Sequence, residues 1–565
     1  MDVNGDLVHG AVLTAVIDGS TERVGLMRAL SEAHRIQRLE LPVHTMLPVV
    51  LRQLLLPIML DALKAPRSRQ EWATRFRHGA FSDEELGRLE HYLSPQAYGD
   101  RFRLFDAERP FAQVPGLTAL NGETKSAAQL VPSVASGNNV PLFSALSEAD
   151  ELLLEPGDAL LWLLHAHCWD TASIKTGAAG DPQAAGGKTT GNPTGPLGQL
   201  GIVVPTGRTL YETLLLNTPI VADRLAAEDR PQWAWDERPT ALASTSPATP
   251  AWSQRPAHGL LDLLTFQARR IRLFTCETEQ GLRVNRVIVA AGDRLTRTPL
   301  EDPHTVWQHT AKPKKDQPRQ RPRRHLSGRA AWQGLSTLLA LNLPEQGDGP
   351  YTSLLLRQIG DLQADTVLSA QHPLGAETSG LEYGTQSAVV ENVIGDDLPL
   401  PVQALLAQDP WLREALLECV DQADKAARAL DGLNNDLRRA AGGDPLPRDK
   451  GSRPSAQFLQ SLDSTMRRLL VGLRTVDADD VELLERAQLA WEQSVHNKAV
   501  RDADLLLAAA PPRAVVGRTV RNGDKEFVYR SGKAIGSFRS KLADLLPRAT
   551  DESRAVAARG KGSAA

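Results

Sequence analysis

A glycine-rich stretch in the middle of the chain places the strongest constraint on its fold. The stretch runs from Thr171 to Gly201 and holds eight glycines, three prolines and two lysines, with no aromatic residue. Such a segment cannot bury a core of its own, and its glycines can adopt positive φ and allow a partner close to the backbone. The stretch therefore indicates either a contact loop or a flexible linker.

The residues on either side of this stretch favour the contact loop. The preceding run ALLWLLHAHCWD predicts a buried helix, and the following run IVVPTGRTLYETLLLNTPI predicts a strand and then a helix. A long loop inside a compact domain must gain contacts that offset the entropy lost when it is ordered. We therefore expect residues 171–201 to contact a partner.

Length and helical periodicity predict the domain organisation. A chain of 565 residues is too long for one core. We predict an α+β fold: a large mixed α/β domain over residues 1–395, a C-terminal all-α four-helix bundle over 396–550, and a disordered tail over 551–565. The segments predicted as the helices of the bundle are 398–441, 455–475, 477–510 and 525–546.

Three local features of the N-terminal domain give sharper expectations. Pro57 should end or kink the apolar helix that contains it. Ser82 and Glu85 have the spacing of a capping box at a helix N-terminus. The arginine-rich run after Gln267 and the run RVNRVIVAAGDRL predict two strands, with a hairpin turn over Glu277–Gly281.

Charge and cysteine content exclude several classes of protein. A net charge of −4 and a pI of about 6.4 argue against a wholly basic nucleic-acid binder, so any polyanion site must be local. Cys168, Cys276 and Cys419 lie far apart without a CxxC pair, which favours a reducing cytoplasm over a disulfide framework. We find no secretory leader pattern and no apolar run of about 18 residues, and expect a cytoplasmic protein without membrane contact.

Enzyme signatures are weak. The run Gly186–Thr190, GGKTT, imitates the end of a nucleotide-phosphate loop, but Gln183 stands where the loop needs a glycine. His165, His167 and Cys168 lie on the predicted buried helix without further ligands at metal-binding spacing. We therefore expect no catalytic residue, metal or cofactor, and keep two alternatives: a metal- or nucleotide-dependent enzyme, and a scaffold that does not contact DNA.

One segment is strongly basic. Residues 310–325, TAKPKKDQPRQRPRRH, contain seven cations and a single acid, and their prolines favour an extended conformation. In an otherwise acidic chain this segment is the best candidate for a phosphate track, although charged runs are often only solvated surface. The cations are Lys312, Lys314, Lys315, Arg319, Arg321, Arg323 and Arg324.

Several segments, in order, match a known family. They are FRLFDAERPFAQ, SGNNVPLF, the apolar helix that leads into the glycine-rich stretch, GRTLYETLLLN and the helical C-terminal part. Over nearly its whole length the chain resembles the large subunit, CasA, of the type I-E CRISPR surveillance complex Cascade. Each motif is weak alone, and it is their combination that carries the resemblance.

The resemblance implies a function without catalysis. In that family the subunit recognises the protospacer-adjacent motif (PAM) in double-stranded DNA and helps open the duplex so that the guide RNA (crRNA) can pair. It also recruits the helicase-nuclease that degrades the target. Base pairing then reads the long sequence, and the protein reads a short duplex motif. The implied partners are target DNA, the crRNA 5′ handle, other Cascade subunits and the helicase-nuclease.

The resemblance also assigns residues on the PAM side. The family's glycine loop, which meets the minor groove through its backbone, corresponds to Lys175, Gly177, Ala178, Ala179 and Gly180. Its basic finger corresponds to Arg283, Asn285 and Arg286. The wedge that separates the first base pair is a glutamine followed by a small residue, and corresponds to Gln363 and Ala364. The contact with the crRNA handle corresponds to Asn138, Asn139 and Phe143.

Overall fold

A computed structural model describes most of the chain. The described residues are 5–134, 151–181, 184–220, 229–235, 254–344, 347–447, 451, 453–477, 480–522 and 525–551. They form two compact units. Unit 1 comprises Met1–Ser327, Ala340–Ser369 and Pro373–Asp397, and unit 2 comprises Gly328–Leu339, Ala370–His372 and Leu398–Ala565.

Unit 1 mixes helices and short sheets. Its helices are α1 Leu26–Ser31, α2 Met46–Val50, α3 Leu56–Leu63, α4 Arg69–His78, α5 Asp83–Tyr92, α6 Pro156–Trp169, α7 Leu210–Leu216, α8 Leu260–Leu264 and α10 Leu354–Ala364. Its strands up to the glycine-rich stretch are β1 Leu13–Ile17, β2 Ser20–Val24, β3 Ile36–Leu39, β4 Lys125–Ser126, β5 Lys175–Thr176 and β6 Lys188–Thr189. The remaining strands are β7 Ile202–Thr206, β8 Gln254–Arg255, β9 Arg269–Thr278, β10 Gly281–Ala291, β11 Arg294–Leu295, β12 Trp307–His309, β13 Gln320–Pro322, β14 Gly349–Tyr351, β15 Leu374–Tyr383 and β16 Val390–Leu400, whose last three residues fall in unit 2.

The strands of unit 1 pair in several small sheets. In one, the order is β4-β10-β5-β6, and β9 also pairs with β10. The others have the orders β2-β1-β3, β13-β12-β14, β16-β15-β7 and β11-β8. The predicted hairpin is confirmed, since β9 ends at Thr278 and β10 begins at Gly281. The capping box is confirmed too, because Ser82 accepts a hydrogen bond from the Glu85 amide while the Glu85 side chain accepts from Ser82.

A buried helical segment bears on two expectations. Helices α2 and α3 are joined by a π-helical turn, Leu51–Leu55, so the helix does not end at Pro57, and a kink there stays a prediction. Pro57 follows this turn closely, where the regular α-helical hydrogen-bond pattern is already interrupted. The 18 residues Met46–Leu63 are long and apolar enough to cross a membrane, so the expectation of no such run is wrong, but 83% of this window is buried inside the protein.

Helix α6 fixes the position at which the glycine-rich stretch begins. Nearly all of its residues are buried, and it contacts α2 and the strands β9 and β10. The helix ends at Trp169, whose indole N–H donates to the Thr45 carbonyl. The glycine-rich stretch therefore starts directly from a fixed core element.

Unit 2 is mainly helical. It contains α9 Leu335–Leu338, α11 Trp411–Ala440, α12 Pro454–Gly472, α13 Val481–Ala508, α14 Arg513–Val516 and α15 Ser531–Leu545, together with the hairpin of β17 Arg518–Asn522 and β18 Lys525–Tyr529. Helix α11 contacts α12, α13 and α15. The helical C-terminal part is confirmed, while the four-helix bundle stays a prediction.

The start of the last predicted helix is wrong. Residues Lys525–Tyr529 form β18 and pair with β17, and α15 begins only at Ser531. The run Phe527-Val528-Tyr529 consists of β-branched and aromatic residues, which favour a strand once a partner strand is present.

Candidate nucleic-acid interface

The described part of the glycine-rich stretch is folded, which argues against the linker alternative. Strands β5 and β6 pair antiparallel, and the Gly177 amide donates to the Gly187 carbonyl at 2.8 Å. Gly180, Gly186 and Gly187 have φ values of 77°, 57° and 75°, which explains the need for glycine at these three positions. We call the hairpin formed by the described residues of 175–189 the glycine hairpin.

The two glycines assigned to the minor groove differ in their surroundings. A Cβ on Gly177 would lie 2.8 Å from the backbone carbon of Gly187 and 2.9 Å from the Lys188 nitrogen. A Cβ on Gly180 would meet nothing within 4 Å. Gly177 is therefore required for the packing of the hairpin itself, whereas Gly180 leaves an open space through which a ligand can reach the backbone.

Lys175 requires a correction. Its side chain is buried, and its ammonium lies 2.7 Å from the Asp170 carboxylate, so it is not available to DNA. Burial lowers the pKa of Lys175 to about 8, although the negative charge of Asp170 acts in the opposite direction. The Ala178 side chain is also fully buried, and packs with Ala119 and Ala290. The side chains of Lys175 and Ala178 therefore have structural roles in the described part of the hairpin.

Buried ion pairs hold the glycine hairpin on strand β9. Arg269 contacts Asp170 at 2.5 Å and donates to the carbonyls of Thr171 and Pro193. Arg270 contacts Asp181, the residue after Gly180, at 2.7 Å, and both of these side chains are about 95% buried. Burial would raise the pKa of Asp170, but Lys175 and Arg269 hold it below its usual value.

The same sheet carries the residues assigned to the basic finger. Strand β10 pairs in parallel with β5 at Ala290 and Thr176, so the finger strand lies beside the glycine hairpin. Asn285 occupies a β-bulge, and its amide donates to Glu151 at 3.0 Å. The Arg283 guanidinium is largely buried and lies 3.4 Å from Glu155. Arg286 is exposed and donates to the Thr124 hydroxyl at 2.5 Å.

The tip of the β9–β10 hairpin is not basic. It carries the exposed side chains of Glu277 and Glu279. The arginines assigned to the finger lie along the strand instead, and Arg286 is the exposed one of the two. A cationic contact from this hairpin would therefore come from its side, next to the glycine hairpin.

The residues assigned to the wedge lie on a helix. Gln363 is in the last turn of α10 and half-buried, and its Oε1 is buried without a hydrogen-bond partner among the described residues. Ala364 is exposed at the helix end. The neighbouring Asp361 and Asp365 both pair with Arg69. The structure does not bring this pair into contact with the glycine hairpin.

Another glutamine followed by a small residue lies close to the glycine-rich stretch and was not considered in the sequence analysis. Gln386 and Ser387 lie in the turn between β15 and β16, with φ values of 57° and 53°, and Gln386 is exposed. The Ser387 carbonyl accepts a hydrogen bond from the Ala172 amide at 2.8 Å, which joins this turn to the glycine-rich stretch. In the sequence, this turn is indicated by the polar run GTQS, residues 384–387, between two strand-like runs.

The basic run folds back instead of extending. Strands β12 and β13 pair, and the Thr310 amide donates to the Arg319 carbonyl at 2.7 Å, so residues 310–319 form the loop of a hairpin. The expectation of an extended basic stripe is therefore wrong. Strand pairing supplies hydrogen-bond partners for backbone groups that a proline-rich extended segment would leave to water. Arg323 is half-buried, and the other cations are exposed: Lys312, Lys314, Lys315, Arg319, Arg321 and Arg324. We call 307–324 the basic hairpin.

Two other predicted sites have different outcomes. Asn138, Asn139 and Phe143 lie outside the described residues. The GGKTT run leads through Gly187 into strand β6, whereas a nucleotide-phosphate loop leads into a helix N-terminus.

The histidines of α6 are buried in the core. His165 lies 3.0 Å from the Thr45 hydroxyl, and His167 lies 2.9 Å from the Ala112 carbonyl. Burial lowers the pKa of His165 to about 3. Across the part of the chain that the structure describes, no three or more His, Cys, Asp or Glu side chains are grouped as metal ligands.

Known proteins match this chain over most of its length. The family model for the CRISPR-associated protein Cse1 matches residues 11–501. The CRISPR-associated protein CasA/Cse1 of Thermus thermophilus is 27% identical, covering 92% of this chain and 95% of the relative. The Cse1 structure from Thermobifida fusca is 32% identical with a TM-score of 0.79, covering 96% of this chain and 98% of that one. The Cse1 structure from Acidimicrobium ferrooxidans is 27% identical with a TM-score of 0.76, covering 97% and 98%.

The family match spans both units and includes every described element discussed above as a site. The resemblance inferred from the sequence motifs is therefore confirmed, and so is the mixed α/β fold with a helical C-terminal part. The chain belongs to the Cse1 (CasA) family, the large subunits of the type I-E CRISPR surveillance complex Cascade.

Proposed function

We propose that this chain recognises the PAM in double-stranded DNA and helps open the duplex for crRNA pairing. The observation that supports this most strongly is a shared sheet: strand β10 of the finger pairs with β5 of the glycine hairpin. Gly180 has open space around its Cα, and Arg286 is exposed on β10. A backbone surface and a cation therefore belong to one rigid element.

Such an element suits the minor groove of DNA. The groove is only about 6 Å wide, so a backbone without bulky side chains enters it more easily than a helix does. A narrow groove also has an enhanced negative potential, which attracts an arginine. The buried pairs Arg269–Asp170 and Arg270–Asp181 hold the glycine hairpin in place before it meets DNA.

The other partners follow from the family. As a Cascade large subunit the chain assembles with other Cascade subunits. We extend the proposal to a contact of the crRNA 5′ handle with Asn138, Asn139 and Phe143, to recruitment of the helicase-nuclease, and to a cytoplasmic location. The exposed cations of the basic hairpin suit DNA phosphates, and the four long helices of unit 2 suit a bundle. In this proposal the subunit has no catalytic residue.

The proposal predicts PAM-dependent binding that requires this chain. A guide-loaded complex would be assembled with and without the protein and mixed with a target duplex carrying either the correct PAM or a scrambled one. We expect the complete complex to bind the correct duplex roughly 1,000-fold or more tighter than the other three combinations bind, which is the lower end of the usual ratio of specific to non-specific binding. Equal binding of all four combinations would instead favour a scaffold that does not contact DNA.

We propose further that Gln386 and Ser387, not Gln363 and Ala364, form the wedge. The family description requires a glutamine followed by a small residue, and both pairs satisfy it. The Gln386 turn is exposed and bonded to the glycine-rich stretch through Ala172, whereas Gln363 is half-buried on α10. Separating a base pair costs a few kcal/mol per unstacked step, so the wedge must act beside the contacts that offset this cost.

Two variants distinguish the wedge candidates. Gln386→Gly removes the side chain without strain at a φ of 57° and is expected to slow duplex opening roughly tenfold, about 1.4 kcal/mol in the barrier. Gln363→Ala is expected to leave the rate of duplex opening unchanged. A fluorescent base analogue next to the PAM reports opening, and PAM binding is measured separately. A slow Gln363→Ala variant with a normal Gln386→Gly variant would restore the original assignment.

A further inference from the structure

A short segment outside every assigned motif contacts the glycine hairpin. We call residues 117–126 the linking segment. The Leu120 amide donates to the Gly177 carbonyl at 2.8 Å, and the Ala179 amide donates to the Thr118 carbonyl at 2.9 Å. Ala119 is buried and packs with Ala178. The linking segment is therefore an additional strand-like neighbour of the residues assigned to the minor groove.

The other end of the linking segment contacts the finger strand. Its last two residues form β4, where Ser126 pairs with Arg286 of β10. The Arg286 guanidinium also donates to the hydroxyl and the carbonyl of Thr124. One continuous piece of chain thus connects the glycine hairpin with the exposed arginine of the finger.

Between these two attachments the linking segment turns outward. Gly122 has a φ of 72°, and the side chains of Leu120 and Asn121 are exposed. Leu120 is 51% exposed although its own amide is fixed on Gly177. Asn121 lies close to the other strand of the glycine hairpin, because a Cβ on Gly187 would be 4.0 Å from the Asn121 Cβ.

An exposed leucine at this position has a chemical consequence for DNA. Its backbone is fixed beside the glycine hairpin, so a minor groove that receives this hairpin, as proposed above, would bring its base pairs close to the Leu120 side chain. In that groove a G·C pair presents the guanine amino group, a donor that leucine cannot accept, whereas an A·T pair presents none. Burying that amino group against leucine leaves a polar group without a partner.

We propose that Leu120 is a specificity-determining residue of PAM recognition, which contacts the minor groove and disfavours a G·C pair at the position it faces. This inference rests on the proposed function of the glycine hairpin. It adds a side chain that reads base-pair identity to an element that otherwise meets DNA through its backbone.

The test compares base-pair preferences. Complexes carrying wild-type chain, Leu120→Ala or Leu120→Asp would be mixed with duplexes in which each position of the PAM and its flank is switched between A·T and G·C. For wild type we expect one position at which G·C weakens binding roughly fivefold to tenfold, the lower range for one unfavourable base pair. Leu120→Ala should remove that discrimination, and Leu120→Asp should weaken binding to every duplex.

Leu300→Asp is the matched control. Leu300 is 50% exposed and follows β11, outside the sheet of the glycine hairpin, so its replacement should leave binding and preference unchanged. If wild type and Leu120→Ala show the same preference at every position, the inference is overturned while PAM recognition itself stands. If the wild-type complex binds all duplexes equally, without PAM dependence, the proposed function itself is refuted, and the inference about Leu120 with it. Unchanged thermal unfolding of Leu120→Ala shows that any lost preference comes from the contact and not from misfolding.

Discussion

Replacing Gly177 by aspartate is expected to abolish target binding while the chain still folds and enters the complex. A Cβ at this position would lie 2.8 Å from the Gly187 backbone and 2.9 Å from the Lys188 nitrogen, so the two strands of the glycine hairpin must separate. Even Gly177→Ala should have a large effect, because the obstacle is backbone and not a mobile side chain. For Gly177→Ala we expect the affinity for target DNA to fall roughly 100-fold or more, equivalent to about 2.7 kcal/mol of binding free energy.

Gly180 gives a different expectation and a control. A Cβ there meets nothing, so Gly180→Ala should cost only the strain of a φ of 77°, about 1–2 kcal/mol of stability. Gly180→Asp would add a carboxylate that repels phosphates, and binding should fall further. Gly79, with a φ of 76° and equally open surroundings, gives the matched variant Gly79→Asp. Equal binding by Gly180→Asp and Gly79→Asp would refute the assignment of this loop to DNA.

The second large effect is expected from the buried pair Arg270–Asp181. The two side chains are 2.7 Å apart and almost fully buried, and Asp181 directly follows Gly180. Arg270→Met removes an ion-pair partner of the buried Asp181 carboxylate, and breaking a buried pair typically costs about 3–5 kcal/mol. We expect the glycine hairpin to detach from β9, with faster hydrogen exchange of the Gly177 amide and strongly weakened target binding.

Two further variants separate this pair from general destabilisation. Arg69→Met removes the half-exposed pairs with Asp361 and Asp365, and should change stability by less than about 1 kcal/mol. The double variant Arg270→Asp with Asp181→Arg restores opposite charges, and should recover part of the binding. If Arg270→Met binds target like wild type although its hairpin exchanges faster, the position of the hairpin does not matter for recognition.

Local signals in the sequence were reliable where short-range physics decides the structure. The Ser82–Glu85 capping box, the turn between β9 and β10, and the long helices α11 to α13 depend on contacts within a few residues or on one apolar stripe. The family resemblance was also available from the sequence, because ordered combinations of weak motifs are informative together. These features agree with the structure and the comparisons.

The expectations that failed were those that depend on burial and on strand pairing, which residue type alone does not reveal. Lys175 looked like a free cation beside glycines, but its side chain is buried and forms an ion pair with Asp170. The basic run looked extended, but β12 pairs with its last residues. Gln363 fits the wedge by residue type and its assignment stays a prediction, while the hydrogen bond from Ala172 to Ser387 supports the alternative that we propose at Gln386.

The family, the helical C-terminal part and the glycine content of the segment that we assign to the PAM can all be read from the amino-acid sequence. The family followed from the resemblance of ordered motifs, while composition and periodicity encode the other two features directly, because turns need glycine and helices need an apolar stripe. The folded chain was needed to show that β10, β5 and the end of the linking segment, β4, lie in one sheet, and which of their side chains are exposed. Burial and ion pairing depend on residues about 100 positions apart, such as Asp170 and Arg269, and no local pattern reports contacts at that separation.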